Sequence, residues 1–403
     1  MKKITLIIIA AAAAMTLTAC KAPNPSVSPD ETAAPTSGPS QAAEATTQPG
    51  VTEAADVTIP PEVTEAVPTE TGEEVRFYSP KFEAAVREAI SRPSGPIYEC
   101  DVLGVRSLDF GSKGVFDIRD IAMFDNLEYL DVSSNKIEDI SALSSLHGLK
   151  YLNLNGNRIH DFSPIADLTG LQTLICVSGS RPLDDLSLLS KLTEMNELLL
   201  HECRDDSLDR IAGMTKLRRL NFVESHFSNV NALAGMPGMK NLVIQGTFTD
   251  LSPLTGMKDL EYLSVSCKAT DVSPLEGLTK LKELRLDSDA ADLSPLSHLT
   301  ELTELSLLTG GDADLGPLSN LTKLTTLNLS SDHLTDIAPL KELVSLRDLY
   351  LTDNEITDAS PLWGLNKLLF LSLKGNPLSE QQKSLLRENL PGCEIYFGPD
   401  SES

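Results

Sequence analysis

The side chains best equipped for chemistry are thinly placed along this 403-residue chain. Its six histidines are His147, His160, His201, His226, His298 and His333. None forms the His-Glu-x-x-His pair that sets two imidazoles and a general base on one helix face around zinc, and no Cys-x-x-Cys supplies thiolates. Serine is abundant, yet Gly-x-Ser-x-Gly is absent. Ser178-Gly179-Ser180 comes nearest but lacks the spacing that lifts a nucleophile onto a strand-to-helix turn. No Gly-x-x-x-x-Gly-Lys-Ser/Thr loop is present to cradle a phosphate. Asp287-x-Asp289-x-x-Asp292 has the start of a calcium loop without its Gly or distal Glu, leaving at most a weak surface site. Asp292 reads instead as a turn residue and Asp287 as a strand-face residue. The expectation is no catalytic residue, no metal centre and no catalytic cofactor: a binding protein rather than an enzyme.

The elements that position these side chains repeat. From Val105 to Leu378 a Leu-x-x-Leu-x-Leu pattern returns every 21–24 residues, about 13 times. Leu127-Glu-Tyr-Leu130-Asp-Val132-Ser-Ser-Asn135-Lys-Ile137 shows the unit, and it recurs from Leu149 and from Leu346. Such a period predicts a solenoid, in which each unit buries its apolar side against its neighbours and the whole presents an extended surface. In Leu149-x-x-Leu152-x-Leu154, alternation along a short strand sends Leu152 and Leu154 to the core and Asn153 and Asn155 to the opposite, concave side. Asn135, Asn157, Asn354 and Asn376 stand at the turn off the strand, where an amide can satisfy buried backbone groups.

The second half of the unit reads Asp-φ-Ser-Pro-Leu, where φ is apolar, as at Asp250, Asp271, Asp292 and Asp358. Ser or Asp before Pro starts a helix, and the few residues left before the next strand favour a 3₁₀ turn. About six apolar side chains per unit, at roughly 1.5–3 kcal/mol each, do not offset the ordering of about 22 residues at roughly 1–2 kcal/mol each. One unit alone cannot stand; a stack can.

This unit resembles the internalin-like leucine-rich repeats of bacterial surface proteins, over roughly residues 76–398. The resemblance implies an α/β leucine-rich-repeat solenoid: a right-handed curved superhelix with a parallel β-sheet on the concave face, short 3₁₀ turns on the convex face, and helical N- and C-terminal caps. Ser79 to Ile90, with Phe82, Val86 and Ile90 along one helical face, looks like the first cap; Ser379 to Leu390 followed by Pro391 to Tyr396 looks like the last. In the middle the turn Asn gives way to Gly179, Cys203, Ser225 and Thr247, then near Cys267, Asp289 and Gly310. One step, Leu171 to Met195, is 24 residues, which leaves the register of 171–214 open.

The ends set the compartment. Met1-Lys2-Lys3 and the apolar run Ile4 to Thr18 read as a signal peptide, residues 1–19. Leu17-Thr18-Ala19-Cys20 resembles the lipobox of bacterial lipoproteins, which implies a diacylglycerol-type lipid on Cys20; the plainer alternative is an ordinary signal peptide with a chance Cys. Residues 20–74, rich in Pro, Thr, Ser, Ala and Glu, read as a disordered tether. The remaining organisation is an N-terminal cap over 75–104, repeats over 105–378, and a C-terminal cap and tail over 379–403. The location expected is extracytoplasmic: lipid-anchored to the bacterial membrane, with the head exposed at the cell surface. A net charge of −25 argues against nucleic acid and against broad contact with anionic lipid. It reads as a solubility feature or as a preference for a basic partner. The five cysteines after Cys20 read as mostly buried thiols.

The concave side is where a ligand would sit. Ile175, Val177, Leu199, Val223 and Val243 are apolar on neighbouring strands where the repeat is otherwise polar, and they predict an exposed strip flanked by Tyr129 and Tyr151, with Arg219 nearby. The alternative is that the 24-residue unit shifts register and buries Ile175 and Leu199. A protein partner fits this surface best. Carbohydrate or cell-wall polymer is the second reading, through Tyr129, Tyr151, Tyr262 and Tyr350; an enzyme of unrecognised class and a passive spacer stand behind it.

Overall fold

The computed structural model describes residues 72–309, 311 and 313–398. Cys20, the signal-peptide segment and nearly all of the 20–74 segment lie outside them. The chain forms one parallel sheet of fourteen strands in sequence order. Strands β1 (Ser107–Asp109), β2 (Tyr129–Asp131), β3 (Tyr151–Asn153) and β4 (Thr173–Cys176) open it. Longer strands follow: β5 (Glu197–His201), β6 (Arg219–Val223), β7 (Asn241–Gln245), β8 (Tyr262–Ser266) and β9 (Glu283–Asp287). The sheet continues with β10 (Glu304–Leu308), β11 (Thr326–Asn328), β12 (Asp348–Tyr350) and β13 (Phe370–Ser372), and closes with β14 (Glu394–Tyr396). A 3₁₀ turn carries the chain back between strands, from Arg119–Met123 to Ser360–Leu362. This is a leucine-rich-repeat solenoid with the sheet on its concave face.

Each unit closes as its residue types dictate. The middle residue of β2 and of β3 is buried and its two neighbours are half-buried. Leucines from strand and turn then stack into one continuous core. At the turns, Asp rather than Ser supplies the cap: Asp250 accepts from the Ser252 backbone N–H at 2.7 Å, and Asp358 accepts from that of Ser360 at 2.9 Å. That Asx geometry leaves Pro free for the helical position that needs no N–H.

The open ends are covered by helices. In α1 (Pro80–Ala89) Ser79 caps the Phe82 N–H, and Phe82 packs edge-on against Phe110 at 5.0 Å. A short helix α2 (Glu99–Leu103) precedes β1, and α3 (Glu380–Asn389) precedes β14. The register runs through the 24-residue unit unshifted: Tyr151 pairs with Thr173, and Thr173 with Glu197. Five positions separate Leu154 from Ile159 but seven separate Cys176 from Leu183, so the two extra residues fall within 177–182, beyond the strand. Gly179 lies in that loop at φ 85°, where a Cβ would stand 2.4 Å from the Asn157 carbonyl oxygen.

Candidate interaction face

The turn amides work as hydrogen-bond hubs between units. Asn157 accepts from Ile137 N–H at 3.0 Å and donates to the Val132 and Leu154 carbonyls, both at 2.9 Å. Asn135, Asn354 and Asn376 make the same pattern. In the middle the role passes to hydroxyls: Ser180 Oγ accepts from Ile159 N–H at 3.3 Å, and Ser225 Oγ from Cys203 N–H at 2.8 Å. Sequence reading assigned Gly179 where Ser180 serves. It also passed over Asp332, which is buried and accepts from Thr309 N–H at 2.7 Å. The signal for Asp332 was its equivalence in the repeat to Asn354, 22 residues on.

Because the strands are in register, concave side chains form rows. The first row runs Tyr129, Tyr151, Thr173, Glu197, Arg219, Asn241 and Tyr262. The second runs Asp131, Asn153, Ile175, Leu199, Asn221, Val243, Ser264 and Arg285. Ile175 and Leu199 are therefore concave residues and not displaced core. Val177, Leu199 and Val223 form an apolar cluster of their own, separate from the core, with Ile175 packed against it.

The cluster is less open than a row of exposed side chains. Val177 and Val223 are 4 % exposed and Leu199 is 8 % exposed. Strands about 4.8 Å apart on the inside of a curve bring branched side chains against one another, so they cover themselves. Asn221 interrupts the second row between Leu199 and Val243, so Val243 stands outside the cluster. The accessible apolar surface belongs to Ile175 and Val243, both half-buried. Asn221 Oδ1 itself is buried and accepts no hydrogen bond from the protein.

Polar and aromatic groups frame this patch. Tyr129 and Tyr151 stack face to face at 4.3 Å and 10°. Burial, then the neighbouring Tyr129 and Asp131, raises the Tyr151 phenol far above its ordinary range. Arg219 lies 3.8 Å from Glu197. Further along, Arg285 pairs with Glu283 at 2.6 Å, and burial together with Glu283 holds the Glu304 carboxyl above its usual range. The hollow beside Val243, Ser264, Arg285 and Leu308 measures only about 40 Å³, far below the several hundred Å³ of a small-molecule pocket.

The other chemistry-bearing groups sort as follows. Asp287 accepts from Ser266 Oγ, Asp289 pairs with Lys268 and Asp292 caps Ser294, so the three carboxylates turn to separate partners. Cys176, Cys203 and Cys267 are buried, whereas Cys100 and Cys393 are only half-buried; all five are free thiols. Burial pushes Cys176 up to about 11 and Cys203 up to about 12, so neither is a nucleophile at neutral pH. One constellation has no linear signature: His201, Glu202 and Glu224 bring ligand atoms within 4.8 Å of one another at the ends of β5 and β6.

Comparison with known proteins agrees with this geometry. A family profile described as leucine-rich repeats (two copies) matches residues 125–167 and 147–194. Among solved structures, an internalin (inlF) of Listeria monocytogenes is 28 % identical, with a TM-score of 0.70 over 80 % of this chain and 96 % of its own. The functional domain of InlJ from Listeria monocytogenes is 20 % identical, covering 77 % of this chain and 76 % of its own at a TM-score of 0.60. A leucine-rich-repeat protein of Leptospira interrogans is 23 % identical, covering 74 % and 73 % at 0.55. No curated protein matches the chain. The class is thus a leucine-rich-repeat solenoid of the kind that builds binding surfaces. Within that class the fold is internalin-like. Among the described residues no helix is long and apolar enough to cross a membrane.

Proposed function

We propose that this chain is a non-enzymatic surface lipoprotein that binds a protein partner through the concave face of its solenoid. One observation carries the reading: an apolar cluster on β4–β6 that lies outside the core, on the concave side. Folding of the solenoid does not require apolar residues level with Ile175 and Leu199, since other strands carry Asp131, Asn153, Ser264 or Asn328 there. A tight apolar centre with accessible edges at Ile175 and Val243, ringed by Tyr151, Arg219 and Glu197, has the composition of a protein interface. The shallow relief suits a protein surface rather than a small substrate.

The carbohydrate reading rests on Tyr129, Tyr151, Tyr262 and Tyr350, of which the first two stack on each other. That stacking occupies one face of each of those two rings, leaving less flat surface for a sugar. Anchoring by lipid at Cys20, with residues 21–74 as a stalk, would hold this face clear of the membrane.

A photo-crosslinking residue at Val243 of the full chain, displayed on its own cells, tests the reading against one at Val344, an exposed residue outside the sheet. A protein adduct from position 243 and none from 344, abolished by Ile175→Asp with the thermal transition unchanged, supports it. Equal labelling from both positions, or a glycan-array signal that Tyr151→Ala removes, overturns it. Cys20→Ala shifting the chain from the membrane to the soluble fraction tests the anchor.

A further inference from the structure

Several carboxylates of one unit meet a base on the next. Glu194 faces Lys216, Asp167 faces Lys191, Asp259 faces Lys280, Glu261 faces Lys282 and Glu301 faces Lys323, each pair within 2.8 Å. Acid thus meets base one unit on. At the turn after β5 and β6, a different position of the repeat, two successive units both carry an acid, Glu202 and Glu224, as β9 and β10 do at Glu283 and Glu304. The basic group beside them is an imidazole: His201 Nε2 lies 3.3 Å from Glu224 Oε2. Among the described residues Glu202 makes no ion pair.

The backbone explains how the three converge. Successive strand residues face opposite sides, so His201 and Glu202 would point apart if β5 simply continued. Glu202 instead takes φ 48°, and Glu224 takes φ 56°. Other units hold Ser112, Ser134, Gly156, Ser331, Gly375 or the shorter acid Asp353 at this left-handed position. Two long carboxylates therefore stand where the repeat otherwise places short side chains, and they stand in consecutive units beside a histidine. His201 pairs with Val223 in the ladder, and Val223 belongs to the apolar cluster with Val177 and Leu199. The Gln245 amide lies against the Glu224 and Ser225 N–H groups, at 3.3 and 3.2 Å, and steadies the turn.

We propose that His201, Glu202 and Glu224 bind a divalent transition-metal ion of the zinc class. One neutral imidazole and two carboxylates form a nitrogen–oxygen donor set suited to zinc and its neighbours, whereas calcium and magnesium prefer oxygen alone. Donors now within 4.8 Å need to close by roughly 1 Å to meet an ion at about 2.0–2.2 Å from each, a side-chain adjustment at a rim. The ion removes the repulsion of the acidic rung, and the surrounding charge of −25 draws cations to it. Three protein ligands leave coordination positions for water or for a side chain of a bound molecule.

Calorimetric titration of the metal-stripped full chain with zinc chloride, and of the same chain with cobalt(II) followed by visible absorbance, tests the site. The expected result is one saturable equivalent, weakened about tenfold or more in His201→Ala and in Glu202→Gln/Glu224→Gln, and undisturbed by excess calcium. The thermal midpoint rises with zinc in the wild type and not in the variants. If His201→Ala melts early, the Gln pair, which preserves shape, decides. No saturable equivalent, or an unchanged one in the Gln pair, overturns the proposal.

Discussion

Asn157 Oδ1 accepts the backbone N–H of Ile137 at 3.0 Å across two neighbouring units, and the same amide donates to Val132 on the far side of the turn. A side chain that serves two units couples them, so its removal is felt in both. Asn157→Ala orphans buried backbone groups at about 1–3 kcal/mol each. Hydrogen exchange should show the units around 130–180 opening first. Asn376→Ala should cost less, because Asn376 is half-exposed and water can replace it.

The apolar cluster on the concave face is buried but separate from the core. Leu199→Ala is expected to destabilise by about 1–3 kcal/mol, and Leu200→Ala, its neighbour on the core side, by about 2–5 kcal/mol. Denaturant midpoints of the two variants check the order; the reverse order would place Leu199 in the core.

Gly179 sits where φ is positive and a Cβ meets Asn157 O at 2.4 Å. Gly179→Ala should therefore cost more than the roughly 1 kcal/mol of a left-handed non-glycine residue alone. Gly238→Ala, which meets nothing within 4 Å, should leave the thermal midpoint nearly unchanged.

The capping aspartates tie stability to pH. Hydrogen bonds from the Ser273 and Ser360 backbones, then from their hydroxyls, lower Asp271 and Asp358; the Ser294 hydroxyl and then its backbone lower Asp292. A carboxyl depressed in the native state contributes stability that is present above its unfolded value, about 3.9, and is lost as pH falls through the native value. Thermal midpoints should hold through neutral pH and drop below about pH 4. Replacing the three by Asn should flatten that acid limb; an unchanged limb would show that the caps do not carry it.

The strand and turn of each unit were legible in the sequence because their causes are local. Alternation about Leu152, the Asx cap at Asp250 and the amide at Asn157 act within a unit or on its neighbour at a fixed spacing. The substitution of Ser180 for Gly179 was not legible, because two inserted residues moved the hydroxyl along a loop whose path depends on the turn beneath it.

Taken alone, then, the chain's periodicity determined the solenoid, its core leucines and which side chains face the concave side, since a 22-residue period repeats one set of short-range forces. The tertiary structure decided how open that face is and what meets on it. Self-covering of Val177, Leu199 and Val223, and the meeting of His201 with Glu202 and Glu224, arise between units, from curvature, register and a left-handed backbone turn. No linear motif encodes a distance across a ladder.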